Sequence, residues 1–286
     1  MRSYLSPNTL DEVFRAVAES GGKDIKLVAG CTDFMPRLSQ ELNQIPTGET
    51  KPDQVIISLT KLGIDKVEDC GDSVKIGACC TFTDLAENEL IQKEFPVLEQ
   101  AIAEIAGLTV RNVATILGNI VNASPAADSV PALMVLDARF IVESASGTKE
   151  YAAKEFFVGP GKTVLGAGEV LTAIVIKKNG GKGCFKKLGR RKAETLSTVN
   201  AAAYVEAENG VCKVLRVAVG AVAPTVVPCT EVESALIGKE MTEENIAEAA
   251  KKVLGQIAPI DDIRASAWYR SKVAPVMVKR AIQGAV

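Results

Sequence analysis

A short segment near the middle of the chain concentrates small and polar side chains that could hold a polar ligand. It runs Thr115-Ile-Leu-Gly-Asn-Ile-Val-Asn-Ala-Ser-Pro-Ala-Ala-Asp128. Gly118 permits a close backbone approach or a positive φ. The side chains of Asn119, Asn122 and Ser124 can hydrogen-bond the backbone or a ligand. The composition is poor material for a helix or a strand, so we expect a loop here.

A second segment of the same character lies far upstream. The run Leu27-Val-Ala-Gly-Cys-Thr-Asp33 begins as an apolar strand that stops at Gly30 and continues into Thr32 and Asp33. Two loops of small and polar residues, each after a hydrophobic element, favour a cofactor with a long polar body held between two subdomains.

The chain contains no histidine. This excludes Ser-His-Asp and Cys-His catalysis, histidine-ligated zinc and the usual proton shuttle near neutral pH. Any chemistry is therefore expected to come from an organic cofactor. The seven cysteines are scattered and include no Cys-x-x-Cys. Reduced buried thiols in a cytosolic protein are favoured over a disulfide or metal framework, and we expect no metal or iron–sulfur site in the chain itself.

Composition and charge narrow the class of protein. The 286 residues are 47% hydrophobic and carry a net charge of −2, which is typical of a globular chain with several structural units. Without a long basic run, nucleic-acid binding is not expected. No apolar segment is long enough for a membrane span and the N-terminus has no apolar signal core, so a cytoplasmic location is expected.

Two other motifs do not support nucleotide sites. Gly159-Pro-Gly-Lys-Thr163 resembles part of a phosphate-binding loop, but that motif requires glycine where Phe156 stands, and Pro160 lacks an amide donor. Nucleotide hydrolysis is therefore not expected. No Gly-x-Gly-x-x-Gly follows a predicted strand, so a Rossmann site has no support.

The hydrophobic patterns predict alternating short strands and helices, then a sheet-plus-helices domain, which is an α+β arrangement. Asn209-Gly210 between two strand-like runs predicts a hairpin with a type I′ turn. Pro275 should kink or divide the last helical segment, residues 266–282. The other predicted helices are residues 9–20, 83–90, 96–106, 130–136, 230–237 and 242–257, and the predicted strands are residues 25–29, 55–59, 74–78, 139–143, 171–177, 201–208 and 211–222.

At the two polar segments the chain resembles the FAD-binding (medium) subunit of the molybdenum hydroxylases, the family of xanthine, carbon monoxide and nicotinate dehydrogenases. Ala29-Gly-Cys-Thr-Asp33 is similar to the family's Ala-Gly-Gly-Thr-Asp. Thr115-Ile-Leu-Gly-Asn119 and Ala123-Ser-Pro-Ala-Ala-Asp128 are similar to Thr-x-Gly-Gly-Asn and Ala-Ser-Pro-x-x-Asp. Cys31 and Leu117 stand where the family has glycine.

Three further segments fit the family in the family's order. They are Arg111-Asn112, Phe185-Lys-Lys-Leu-Gly-Arg-Arg191 and Asp262-Ile-Arg-Ala-Ser-Ala-Trp-Tyr-Arg270. The resemblance implies a two-subdomain FAD-binding module of the vanillyl-alcohol-oxidase-like type over residues 1–175, with subdomains at about 1–55 and 56–175. An α+β C-terminal flavoprotein domain would follow over residues 176–286.

The resemblance also implies a site. Backbone amides of residues 28–34 and 115–119 would surround the FAD pyrophosphate, as amide nests bind anions. Asp128 would bond an FAD hydroxyl, with a helix N-cap as the alternative. Leu171 and Lys186 or Lys187 would lie near the isoalloxazine, the lysine favouring anionic reduced flavin. The residues expected to bind FAD are Leu27, Val28, Ala29, Gly30, Cys31, Thr32, Asp33, Phe34, Ala106, Thr115, Ile116, Leu117, Gly118, Asn119, Asp128, Leu171, Lys186 and Lys187.

By the same resemblance, the chain would be an electron-transfer flavoprotein subunit. It would take electrons from the clusters of a [2Fe-2S] small subunit and pass them through FAD to NAD+ or another acceptor. Hydroxylation would occur on a separate molybdopterin large subunit, in an assembly expected to be a dimer of heterotrimers. Two alternatives stay open. One is an assembly subunit that has lost FAD, which Cys31 and Leu117 motivate, and the other is a stand-alone flavin oxidoreductase.

Overall fold

The computed structural model describes residues 2–21, 23–44 and 53–286. Within this part, a three-stranded, a five-stranded and a four-stranded sheet occur with a two-stranded hairpin. Helices cover the sheets, which confirms the predicted α+β fold class.

The N-terminal sheet is parallel, with β1 (Arg2–Leu5), β2 (Asp24–Val28) and β3 (Gln54–Ser58) in the order β1-β3-β2. Helix α1 (Leu10–Glu19) connects β1 to β2, and α2 (Phe34–Asn43) follows β2. Because β2 and β3 are parallel, the loop after β2 opens at the carboxyl edge of the sheet, where ligands bind in such folds. The subdomain boundary expected near residue 55 falls inside β3.

The second sheet is antiparallel and has the order β4-β5-β10-β6-β7. A small hairpin of two short strands precedes its central strand β10. The strands are β4 (Val67–Asp69), β5 (Ser73–Gly77), β6 (Arg139–Ser144), β7 (Gly147–Ala152), β8 (Phe157–Gly159), β9 (Lys162–Thr163) and β10 (Val170–Lys177).

Most of the short helices of this half follow β5 in the chain and precede β8. The predicted helix over residues 83–90 is divided at Asn88, whose side chain accepts hydrogen bonds from two amides of the following helix and so starts a new helix. The helices are α3 (Phe82–Glu87), α4 (Glu89–Glu94), α5 (Pro96–Ala103), α6 (Leu108–Arg111), α7 (Ile116–Val121), α8 (Ser129–Val135) and α9 (Ala153–Phe156).

The helix α7 (Ile116–Val121) corrects the expectation of a loop over residues 115–128 in its first half, whereas residues 122–128 form a loop. Thr115 Oγ1 accepts a hydrogen bond of 3.1 Å from the Gly118 amide and caps the helix. Ile116 and Ile120 are completely buried. Capping and burial outweigh the low helix propensity of glycine and asparagine in this segment.

The C-terminal part is an antiparallel sheet covered by helices. The hairpin prediction is confirmed, because Asn209 and Gly210 have φ values of 51° and 78°, as a type I′ turn requires. Strand β11 was not predicted, and it pairs along its whole length with β12. The elements are β11 (Lys182–Leu188), β12 (Val199–Glu208), β13 (Val211–Gly220), β14 (Val227–Pro228), α10 (Thr230–Leu236), α11 (Glu243–Lys251) and α12 (Ala267–Gly284).

Pro275 was predicted to kink or divide this helix; α12 runs through Pro275 without a break, so division is wrong. Ala274 and Val278 beside it are completely buried. Packing of this face on the sheet stabilises the helix despite the lost hydrogen bond. Among the described helices, none combines the length and apolar character that a membrane crossing requires.

Helix α8 joins the two halves of the molecule. All of its residues are buried. Phe185, Ala202 and Ala218 of the C-terminal sheet belong to the same hydrophobic cluster as α8 and the five-stranded sheet. One hydrophobic cluster therefore spans both halves, and a second cluster, between the other face of the C-terminal sheet and its helices, belongs to the C-terminal half alone.

Candidate functional site

A cavity of about 930 Å³ lies between the carboxyl edge of the N-terminal sheet and helix α7. The segment from β2 into α2 forms one wall, and residues of α7 form the facing wall. The two polar segments singled out in the sequence therefore meet across one space, although residues 34–114 separate them in the chain.

The loop after β2 leaves backbone donors free. Among the described residues, the amides of Gly30, Cys31, Thr32 and Asp33 have no hydrogen-bond partner. These four residues lead directly into α2, where the Met35 amide donates to the Cys31 carbonyl at 2.9 Å and Pro36 has no amide hydrogen. Successive free amides at a helix N-terminus bind anions such as phosphate. The loop is therefore suited to a pyrophosphate.

Gly30 is required by a contact behind the loop. A Cβ at this position would lie 2.1 Å from the Val113 carbonyl oxygen, which is backbone and cannot move aside. The loop therefore packs directly on the turn between α6 and α7. This contact sets the separation of the two cavity walls.

Cys31 occupies a backbone conformation that favours glycine. Its φ is 57°, in the left-handed region, and its Sγ donates to the Ala29 carbonyl at 3.2 Å. The loop thus keeps the shape that a glycine would allow, although cysteine stands there. Burial raises the pKa of the Cys31 thiol, so the side chain lines the cavity wall as a neutral group.

The amides of the facing wall are already used. The amides of Ile116 and Leu117 donate to the carbonyl oxygens of Cys80 and Ala78, at 3.1 and 2.9 Å. Those of residues 118 and 119 donate to the Thr115 side chain and carbonyl, both at 3.1 Å. Of the expected cradle of amides from residues 115–119, those of residues 116–119 are therefore not available. The reason is that the segment is helical and its donors are satisfied within the protein.

In place of free backbone amides, the same wall presents the backbone of Gly118 and the side-chain amide of Asn119 to the cavity. Gly118 lines the cavity and does not have a positive φ. A Cβ there would meet Thr115 Oγ1 at 3.2 Å, a tight contact with a side chain. Asn119 also lines the cavity, and its Oδ1 accepts a hydrogen bond of 2.7 Å from Ser129 Oγ. Leu117 lies in the wall but is only 5% exposed.

Arg37 connects the two walls and was not predicted. Its Nη2 donates to Asn122 Oδ1 at 3.2 Å, and its Nε lies 2.7 Å from Asp33 Oδ2. This places a guanidinium beside the N-terminus of α2, where its charge is balanced by the Asp33 carboxylate. No sequence motif includes an arginine at this position, so Arg37 could not be identified as a site residue from the sequence.

Asp128 lies away from this cavity, in a buried cluster between the two halves of the molecule. Its Oδ1 accepts hydrogen bonds from Ser197 Oγ at 2.5 Å and Asn200 Nδ2 at 2.7 Å. Its Oδ2 is 2.8 Å from Lys187 Nζ, which also donates to the Glu104 carbonyl at 2.6 Å. Asp128 precedes α8 but makes no capping hydrogen bond, so the N-cap alternative does not describe its side chain.

The two candidate lysines point in opposite directions, as neighbours on a strand do. Lys187 faces the FAD-binding half. Lys186 lies on the other face of β11, where its Cε is near Gly284 of α12. Leu171 is 1% exposed on the central strand β10.

Twelve of the predicted residues line the cavity. They are Leu27, Val28, Ala29, Gly30, Cys31, Thr32, Asp33, Phe34, Thr115, Leu117, Gly118 and Asn119. Six others do not line it, and their role at FAD stays a prediction. These are Ala106, Ile116, Asp128, Leu171, Lys186 and Lys187.

The sequence analysis missed one wall. Gly161, Lys162 and Thr163 of the β8–β9 hairpin line the cavity, as do residues 165–169. Gly161 and Gly168 have positive φ values of 66° and 79°. The high glycine content of this stretch indicates a loop that can approach a ligand closely, although its motif resembles only part of a loop for nucleotide hydrolysis.

Comparison with known families identifies the chain. Residues 1–177 match the family described as the FAD binding domain in molybdopterin dehydrogenase. This chain belongs to that family. Residues 183–285 match the CO dehydrogenase flavoprotein C-terminal domain. The molecule is thus an FAD-binding medium subunit of the molybdopterin hydroxylase type, and FAD is its cofactor.

Individual relatives are similar in sequence or structure to this medium subunit over nearly its full length. The glyceraldehyde dehydrogenase medium chain of Sulfolobus acidocaldarius is 30% identical and is matched over 98% of this chain and 97% of its own. A putative xanthine dehydrogenase FAD-binding subunit of Escherichia coli is 32% identical, over 99% and 96%. A chain of carbon monoxide dehydrogenase from Hydrogenophaga pseudoflava has a TM-score of 0.92 at 28% identity, over 99% and 96% of the two chains.

Proposed function

We propose that this FAD-binding subunit transfers electrons within its complex. It would take them from the [2Fe-2S] clusters of a small subunit and deliver them through FAD to NAD+ or another acceptor. The observation that carries the proposal is the row of free amides from Gly30 to Asp33 at one wall of the cavity. That row fits the pyrophosphate of a dinucleotide cofactor.

The chain's own residues would bind and orient the cofactor. The free amides of residues 30–33 would hold the pyrophosphate, beside the ion pair of Arg37 with Asp33. Lys187 is the better candidate for the charge near the isoalloxazine, because it faces the FAD-binding half and Lys186 does not. When bound, FAD can accept a pair of electrons and release them singly or as hydride.

The partners follow from the relatives. Several are named medium chains or subunits, which supports a complex with a small and a large subunit. We infer that these are a [2Fe-2S] subunit and a molybdopterin subunit, and that the complex works in the cytoplasm.

The purified chain tests the proposal directly. We expect a yellow protein whose released flavin is FAD, and whose absorbance bleaches when NADH is added without oxygen if NAD+ is the acceptor. A Gly30→Ala variant is the control, because its loop should not seat against Val113. A colourless wild-type chain that also fails to bind added FAD would instead indicate an assembly subunit.

A further inference from the structure

A Gly-Lys-Thr turn lies in the cavity wall that the β8–β9 hairpin forms, although the full motif of a nucleotide-hydrolysing loop is missing. Gly161, Lys162 and Thr163 all line the cavity. The Gly161 amide donates to the Ala123 carbonyl at 3.0 Å, and Thr163 Oγ1 accepts a hydrogen bond of 3.3 Å from the Leu165 amide. Lys162 is therefore the charged side chain that this turn offers to a ligand.

The segment that carries Lys162 is fixed at both ends. On one side, the carbonyl of the completely buried Phe156 accepts a hydrogen bond of 3.0 Å from the Val164 amide. On the other side, Glu169 Oε1 lies 2.6 Å from Lys149 Nζ. A side chain on a fixed backbone binds a ligand at a lower entropic cost than one on a mobile loop.

The carboxylates of the cavity are already paired with cations. Three of the described residues that line the cavity carry a carboxylate. Asp24 Oδ1 lies 3.0 Å from Lys26 Nζ, and Asp33 Oδ2 lies 2.7 Å from Arg37 Nε. Glu169 is held by its lysine. Because each negative charge has a partner, none of the three presents an uncompensated charge to an incoming anion.

Two lysines of the cavity remain, Lys23 and Lys162. Lys23 precedes β2, whereas the free amides of residues 30–33 follow it, and a five-residue strand spans ~16 Å. Lys23 therefore lies at the far end of the cavity from these amides. Within the part of the chain that the structure describes, Lys162 Nζ makes neither an ion pair nor a hydrogen bond. Its charge is available to an anionic ligand.

We propose that Lys162 binds a phosphate of the FAD pyrophosphate, opposite the free amides of residues 30–33. This rests on the proposed function for the position of the pyrophosphate at those amides. Backbone amides hydrogen-bond a phosphate but carry no net charge, so they do not neutralise it. The ammonium would supply the missing counter-charge, as lysine does at other phosphate sites. The turn is thus a phosphate-binding element for a resident cofactor.

The test uses the purified full-length chain with its bound FAD. The fraction of FAD released after dilution, at low and high salt, is measured by the rise in flavin fluorescence. Lys162→Gln removes the charge, and Lys162→Arg keeps it. Lys154→Gln is the matched control, because Lys154 is also exposed and lies on α9 just before the hairpin, but does not line the cavity. Phosphorus NMR of the bound FAD reports on contacts at the pyrophosphate itself.

We expect Lys162→Gln to bind FAD about tenfold more weakly, the usual effect of losing a hydrogen bond to a charged group. Its affinity should also fall less with added salt than that of the wild type, because one screened charge contact is gone. The phosphorus resonances of its bound FAD should shift. Lys162→Arg and Lys154→Gln should both behave as the wild type.

Wild-type FAD affinity in Lys162→Gln would overturn the assignment. So would weaker binding with unchanged salt dependence and phosphorus resonances, which would place the lysine at another part of FAD. Equal weakening in Lys162→Arg would also overturn it, because the charge would not be the cause. If the wild-type chain holds FAD in this way but accepts no electrons from the [2Fe-2S] subunit, the proposed function falls and the role of Lys162 stands.

Discussion

Lys187 Nζ lies 2.8 Å from Asp128 Oδ2, and the two side chains are only 4% and 7% exposed. The carboxylate belongs to the FAD-binding half and the ammonium to the C-terminal sheet. Ser197 and Asn200 donate two more hydrogen bonds to the same carboxylate. Removing one member of such a buried pair leaves the other charge without compensation.

We predict that Asp128→Asn lowers the free energy of unfolding by ~3–5 kcal/mol, the usual cost of breaking one side of a buried ion pair. The double variant Asp128→Leu/Lys187→Met should recover much of this loss, because no charge stays buried. Urea unfolding of the single and double variants measures both. Equal losses in the two would show that the ammonium is not the source of the cost.

An exposed pair supplies the control. Lys279 Nζ is 2.7 Å from Glu243 Oε1, but the glutamate side chain is 70% exposed. Glu243→Gln should leave the unfolding midpoint unchanged, because solvent screens exposed pairs.

Substitutions of two glycines should differ in their effect on FAD. Gly30→Ala places a Cβ against the Val113 carbonyl at 2.1 Å, whereas Gly118→Ala meets only the Thr115 hydroxyl at 3.2 Å. We expect Gly30→Ala to lose FAD during gel filtration and Gly118→Ala to retain most of it. Flavin absorbance per chain after the column measures this. Full retention by Gly30→Ala would show that the loop can move away from the turn without losing the cofactor.

Cys31 should tolerate glycine better than a branched side chain. Relief of its left-handed φ of 57° roughly offsets the greater chain entropy of glycine, so Cys31→Gly should change stability by less than ~1 kcal/mol. Cys31→Val should cost more, because β-branched residues rarely adopt this conformation. Thermal unfolding and FAD affinity should both rank glycine and cysteine above valine, and the reverse order would contradict the assigned backbone.

Buried thiols predict a loss of stability at alkaline pH. Burial, and then the carboxylate of Asp65 for Cys79 and of Asp84 for Cys80, raises their pKa values from 9.0 to about 11 and about 12. Above pH 9.0 the unfolded chain releases protons that the folded chain keeps. The stabilisation present below that pH is therefore lost as pH rises towards the folded values, by about 1.4 kcal/mol per pH unit for each thiol.

Urea unfolding at about pH 8 and about pH 10 checks this linkage. The double variant Cys79→Ala/Cys80→Ala will be less stable at the lower pH, because it leaves small cavities. Its further loss between the two pH values should be smaller than that of the wild type. The same loss in both proteins would exclude the two thiols as the cause.

The first cavity wall could be predicted because its signal is local. A strand, Gly30 and a polar turn before α2 are contiguous in sequence, and their conformation follows from neighbours in the chain. The helix α7 could not be predicted in this way. Glycine and asparagine argue against a helix, and the packing that overrides them involves Ala78 and Cys80, from a separate segment.

The hydrogen-bond partners of Asp128 could not be predicted from the sequence either. Its three partners lie 59, 69 and 72 residues further along the chain. Lys187 is on the unpredicted strand β11, Ser197 is in the segment after it, and Asn200 is at the start of β12. The resemblance identified the residue as important, but only the tertiary structure shows that its carboxylate is hydrogen-bonded to side chains of the C-terminal half. The same holds for Arg37, whose role depends on Asn122 across the cavity.

The complete burial of α8 has a consequence for how this protein can be divided. A chain ending after Lys177 would expose the sides of α8 that now contact β12 and β13. This exposed apolar helix would promote aggregation. A chain beginning at Lys182 would likewise lack the cover of its inner sheet face. The regions matched by the two sequence families thus share an apolar contact that neither would cover alone. A split version should regain solubility only when both pieces are produced together.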